Sequence, residues 1–214
     1  MRTTKYRWFN HLILISLLLA FSPFLSFSQS SKRMMKSEHA QIAKQLEINP
    51  KEIFMVYELS DASGYYQIAL LEKISSIKNK DTTNNSIEAL AFRADHGGNL
   101  IHWSIKDERR IENEETNIWF WTKYCSFKDL DGDNRIDPII VYGSKDENGY
   151  KRIKIITIYK NRKYVIRASK SEMDLGRHFN QDKEINALPL TIRKDLHSLL
   201  ESIRKGQGVL LKNG

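Results

Sequence analysis

From Ile53 to Ala168 the chain alternates between runs rich in β-branched and aromatic residues and short segments of turn formers, a pattern few architectures satisfy. Ile53 to Leu59 and Tyr65 to Ile74 are separated by Asp61-Ala62-Ser63-Gly64, and Ile87 to Ala94 and Leu100 to Ile105 flank Asp95-His96-Gly97-Gly98-Asn99. Gly and Asn enter left-handed backbone at little cost, so these segments read as hairpin connections. Ile118 to Phe127, Pro138 to Tyr142, Arg152 to Lys160 and Tyr164 to Ala168 complete the predicted strands, with turns at Asp146 to Gly149 and Lys160 to Lys163. Lys78 to Ser86 is the most polar stretch and reads as an exposed loop, and Lys106 to Thr116 as a solvated connection or short helix.

Two segments carry helical spacing instead. Ala40, Ile42, Ala43 and Leu46 suit a short amphipathic helix capped at Ser37 and ending before Asn49-Pro50. After Pro189, Ile192, Leu196, Leu199, Leu200 and Ile203 share one face, and Gly206 ends the run. The predicted class is therefore α+β: a meandering antiparallel sheet of about seven or eight strands, packed with a C-terminal helix and a short N-terminal helix. No unit recurs at fixed period, which disfavours a solenoid or propeller.

The first residues set the compartment. Arg2, Lys5 and Arg7 precede an almost wholly apolar Leu12 to Phe21, and Ser26-Phe27-Ser28 offers small residues for a peptidase. That is the layout of a secretory signal peptide cut before Gln29. The competing reading, a retained anchor, has an apolar stretch broken by Ser16, Ser22 and Pro23 and shorter than the roughly 20 residues that span a bilayer. No later apolar run is long enough to span one. The expected organisation is a signal peptide at 1–28, a flexible lead (Ser30 to Lys36) and short helix within 29–52, and one α+β domain at 53–214.

The 214 residues carry 34 Lys plus Arg against 26 Asp plus Glu, a net charge of +8. Cleavage removes three basic groups and leaves 31 against 26, or +5. In an exported chain this modest excess points away from nucleic acid, towards anionic glycans, lipid head groups or solvent. One cysteine, Cys125, excludes an internal disulfide framework and any multi-cysteine metal site, and reads as a buried small hydrophobe. With 41% hydrophobic residues an ordinary core is available, so a disordered chain is excluded.

The most informative motif is Asp129-Leu130-Asp131-Gly132-Asp133-Asn134-Arg135-Ile136-Asp137, at 129–137. Carboxylates at alternate positions can wrap a hard cation, and an all-oxygen array favours calcium over magnesium. Asp129, Asp131, Asp133 and Asp137 would give side-chain oxygens and Arg135 its carbonyl. A helix–loop–helix calcium site wants Gly at the sixth position and Glu at the twelfth, where this chain has Asn134 and Ile140. Asn134 still suits a left-handed backbone. The loop resembles the Asp-x-Asp-Gly-Asp-x-x-x-Asp calcium loops that join strands in integrin-like propellers. The alternative is an exposed acidic turn without metal.

Other constellations are weaker. His96 and His102 flank a turn with Asp95 and lack a third zinc partner. Asp107, Glu108, Glu112, Glu114 and Glu115 contain the carboxyls glycoside hydrolysis needs, yet read as a solvated run. Strand alternation puts Trp119, Trp121 and Phe127 on one side and Phe120 and Tyr124 on the other, reading as core rather than a sugar platform. Lys151, Arg152, Lys154, Lys160, Arg162, Lys163, Arg167 and Lys170 make one hairpin basic, and a solvated hairpin is the default reading there. No nucleophile elbow, phosphate loop or dinucleotide fingerprint is present, so no catalytic or cofactor-binding residue is assigned.

Trp119 to Tyr124, Phe127, the acidic loop and Asp137 to Gly143, followed by Arg152 to Ile155 and the Leu188-Pro189 helix, resemble a family of exported Bacteroidota proteins. That family is described as surface-polysaccharide biosynthesis proteins linked to lipopolysaccharide phenotype and virulence. The resemblance implies a non-catalytic calcium-binding protein of the periplasm or cell surface that assists surface-polysaccharide or lipopolysaccharide production. It implies an anionic surface glycan or lipopolysaccharide as partner, and no nucleic acid. A glycan-acting hydrolase or transferase, or an anionic-glycan binding module, are the alternatives.

Overall fold

The computed structural model describes residues 29–79, 81–171, 173, 175 and 177–207. The signal peptide read at 1–28 lies outside the described residues. Eleven strands are found among those described: β1 (Ser30–Arg33), β2 (Ile53–Asp61), β3 (Gly64–Lys78), β4 (Asp81–Asp95), β5 (Gly98–Glu108), β6 (Asn117–Phe120), β7 (Ser126–Lys128), β8 (Asp137–Asp146), β9 (Gly149–Tyr159), β10 (Arg162–Ser169) and β11 (His178–Gln181). The helices are α1 (His39–Leu46) and α2 (Leu190–Gln207).

Consecutive buried residues dictate the layering. In β3, Ile68 and Leu70 enter one apolar cluster while Ala69 and Leu71 enter another, and in β8 Ile140 and Tyr142 part from Ile139 and Val141 in the same way. A strand buried on both faces needs cover on both. The α+β class and the antiparallel meander therefore take the form of two sheets, ordered β1-β2-β3-β4-β5 and β11-β10-β9-β8-β6, with β7 paired to β8. Their inner faces meet across Leu59, Ile68, Ile118, Ile140 and Tyr142. Helix α1 covers the outer face of the first sheet through Ile42 and Ala43, and α2 covers that of the second through Ile192, Leu196, Leu200 and Ile203. Each of these buried Ile and Leu side chains stabilises the fold by roughly 1.5–3 kcal/mol.

Three expectations need correction. Lys78 to Ser86 is no exposed loop: β3 runs to Lys78 and β4 starts at Asp81, and Asn84 is buried, giving its amide to the Ile118 carbonyl and Glu72. Polar side chains continue a ladder when each finds a partner. Residues 30–33 are no free lead, since they form an edge strand registered from Ser30 with Ser60 to Arg33 with Tyr57, held by backbone bonds that need no apolar side chains. Ile118 to Phe127 is two strands, interrupted by a 3-10 turn at Thr122–Tyr124. That turn resets the alternation: Trp119, Trp121 and Tyr124 pack on the α2 side, while Phe120 and Phe127 face the first sheet. Cys125 lies between the two clusters, and burial pushes its thiol up to about 12 against the Val141 amide.

Gly143 in β8 shows how closely the second sheet is packed. A Cβ there would lie 2.8 Å from the Trp121 ring and 2.9 Å from the Arg152 carbonyl oxygen. Gly143→Ala is expected to lower unfolding stability by about 1–3 kcal/mol through overpacking, measured as a lower urea midpoint, with near-ultraviolet circular dichroism reporting a displaced Trp121.

Candidate metal centre

The acidic loop is the connection of a hairpin. Lys128 pairs with Asp137 at the ends of β7 and β8, so residues 129–136 form the loop and Asp137 opens β8. Its sequence folds upon itself through short carboxylates reaching nearby amides. Asp129 accepts from the Gly132 and Asn134 amides at 2.7 and 2.9 Å, Asp131 from Asp133, and Asp133 from Arg135 at 2.9 Å. These bonds require left-handed backbone at Gly132 (φ +83°) and Asn134 (φ +65°), which Gly and Asn adopt most readily.

Two apolar residues peg the loop down, Ile136 in the inter-sheet layer and Leu130 on the α2 side. Polar contacts arrive from outside it. Asp61, buried at the end of β2, accepts the Ile136 amide at 2.8 Å and the Tyr66 hydroxyl at 3.1 Å, and the Ala62 amide donates to the Asn134 carbonyl. The Tyr159 hydroxyl donates to Asp131 at 2.9 Å and the Gln29 amide to Asp129 at 2.8 Å.

The result gathers Asp129, Asp131 and Asp137, each offering a carboxylate oxygen within 4.8 Å of the others. Among the described residues it is the one group of three or more such side chains able to hold a metal ion. Asp137 is only 3% exposed. Burial raises its pKa to about 7; the Leu130 amide opposes the rise, and the carboxylates of Asp131, Asp133 and Asp129 add to it. Asp129 is pulled the other way, since the donors from Gln29, Gly132 and Asn134 outweigh its desolvation. Among the described residues no salt bridge reaches any of the three. The donor set is all oxygen, which fits a hard cation.

Of the four carboxylates singled out in the sequence, the fold thus joins three. Asp133 and Arg135 line a cleft of about 210 Å³ that Asp137 also borders, together with Tyr66, His102, Trp103 and Lys160. Asp61, Tyr159 and Gln29 were missed as loop supports. Asp61 read only as a turn former, and nothing in one sequence pairs it with Ile136, 75 residues away.

The other candidates resolve differently. His96 is almost fully exposed and, among the described residues, bonds only Asp95, while His102 lies edge-on to Tyr66. The carboxylate run is not uniformly solvated: Glu108, Glu112 and Glu114 are exposed, whereas Glu115 is 2% exposed and Asp107 largely buried. Both pair with Arg152, at 2.6 Å each, and Asp107 also receives Lys154 and the Tyr142 hydroxyl. Ionised carboxylates cannot stay buried unless paired, and the second sheet supplies that partner. Burial pushes both pKa values up, but the Arg152 hydrogen bonds prevail; Asp107 is held at about 2 and Glu115 below its usual range.

Comparison of the chain with protein-family models, curated proteins and solved structures gives no match.

Two outcomes follow. Asp61→Ala leaves the buried Ile136 amide without its acceptor, which costs about 1–3 kcal/mol and should accelerate hydrogen exchange at Ile136 and Asn134 while sparing α2. The Asp107 and Glu115 pKa values are depressed on folding, so their stabilisation is complete above about pH 5 and is lost as pH falls towards about 2. Urea titrations between those pH values should show stability falling with acid, with a smaller slope in Asp107→Asn.

Proposed function

We propose that the chain is an exported, non-catalytic calcium-binding protein that assists the production or display of surface polysaccharide or lipopolysaccharide. The observation carrying the metal reading is that Asp137, buried at the mouth of β8, is held within reach of Asp129 and Asp131 with no salt bridge to any of them among the described residues. Three carboxylates so placed repel one another, and a bound cation removes that cost. Calcium is the cation assigned because it accepts six to eight oxygens in flexible geometry, whereas magnesium demands a tight octahedron. In this reading Asp129, Asp131 and Asp137 hold it, and Asp133 and the Arg135 carbonyl are the further oxygens available.

Export to the periplasm or cell surface rests on the charge and hydropathy of residues 2–28, and the glycan role on the resemblance of the Trp119 to Gly143 segment. No helix among the described residues is long and apolar enough to cross a membrane. The alternative of a glycan-acting hydrolase or transferase gains nothing from Asp107 and Glu115, which Arg152 occupies.

In chelator-stripped protein, calcium at a hundredfold excess over its dissociation constant should raise the melting temperature by roughly 5–10 °C. Asp137→Asn should abolish most of that shift, and magnesium should give a smaller one. No shift with millimolar calcium contradicts the metal reading, and an unchanged glycan profile on gels after gene deletion contradicts the glycan role.

A further inference from the structure

The basic hairpin of β9 and β10 continues into β11, and its register sorts the charges in a way the sequence does not show. Lys154 stands opposite Arg167, which stands opposite Asn180; Arg152 stands opposite Ser169, which stands opposite His178. Residues two apart on a strand share a face, so these six side chains form a grid, two by three, on one face of the second sheet. It is the face that carries Ile156, Ile158 and Val165 into the inter-sheet layer, and the grid lies where that layer ends. Directly opposed side chains sit about 5 Å apart at Cβ, and like charges placed so are destabilising. Lys154 opposite Arg167 is such a pair.

The carboxylates that temper these charges lie to the sides. Asp107 and Glu115 hold Arg152, Asp107 also holds Lys154, and Asp182 holds Arg167. Arg110 comes over from the connection between β5 and β6, and its side chain has no hydrogen bond or ion pair among the described residues. Together the grid and Arg110 line a cleft of about 170 Å³, to which no carboxylate among the described residues contributes. Among the described residues, four cations stand against three carboxylates there. Arg152 is fixed by four hydrogen bonds, to Glu115, Asp107 and the Glu108 carbonyl, so it orders the site without moving to meet a ligand.

We propose that this cleft binds a phosphate group, either free or carried on a sugar. A phosphate ester presents three strong acceptor oxygens and nearly two negative charges, which suits donors converging from three strands and the Arg110 segment. A planar carboxylate engages fewer of them. The site is separate from the acidic loop and does not depend on the loop holding calcium.

The test is isothermal titration of the full chain in calcium-free, low-salt buffer with inorganic phosphate, glucose 6-phosphate, glucose and glucuronate. Both phosphates should bind, the tighter of the two identifying a free or a sugar-borne group; glucose should not, and added sodium chloride should weaken binding. Arg167→Gln, at an exposed position, and Arg110→Gln should each weaken phosphate binding roughly tenfold, while Lys194→Gln on α2 should not. Arg167→Gln should also leave the ligand-free melting temperature nearly unchanged, because the loss of its exposed ion pair to Asp182 is offset by relief of the opposition to Lys154. Absence of phosphate binding, wild-type affinity in both arginine variants, or glucuronate binding as tightly as phosphate would overturn the assignment.

Discussion

The apolar layer between the two sheets is the constraint from which the rest of the structure follows. Strands β3, β4 and β8 carry apolar residues on both faces, so once Ile68, Ile118, Ile140 and Tyr142 close the inner layer, the outer faces must be covered by α1 and α2. That layer also has ends, where backbone and charged groups meet its margin and must find partners. Asp61 closes one end by capturing the Ile136 amide. Asp107, Arg152 and Glu115 close another as a buried ion-pair cluster joining β5 to β9. Between them Glu72 of β3 accepts the Phe120 amide and the Asn84 side chain; burial raises its pKa, and those two donors oppose the rise.

The acidic loop inherits its shape from this arrangement. With Ile136 seated in the inter-sheet layer and Leu130 on the far side of the second sheet, the intervening carboxylates have little choice of direction. Asp61, Tyr159 and the loop's own amides then hold Asp129, Asp131 and Asp137 together against their mutual repulsion. Such preorganisation favours a cation, because much of the ordering is already done by the fold. The phosphate cleft arises at another margin of the same layer, where the second sheet extends beyond its cover and its inward face turns from isoleucine to arginine and lysine.

The class and both helices were legible because apolar period is a local property: Ile192 to Ile203 repeat as a helix whatever they pack against. The division into two sheets was not, since a run such as Ile139 to Tyr142 is equally apolar whether covered by a helix, a sheet or both. Polar Lys78 to Ser86 misread as a loop because Asn84 finds its partners in Glu72 and Ile118, contacts that are long-range in sequence. Three carboxylates of the loop were legible from spacing alone. The placement of Asp133 and Arg135 along the neighbouring cleft was not, because it depends on how β5 and the β9–β10 turn close over the loop.

The fold gathers Asp129, Asp131 and Asp137, and the proposal is that calcium occupies the space between them. Anomalous diffraction from crystals grown with calcium tests it most directly. One anomalous peak about 2.3–2.6 Å from oxygens of all three carboxylates is expected. A well-ordered loop with water, or with the Lys160 ammonium, occupying that position would contradict it.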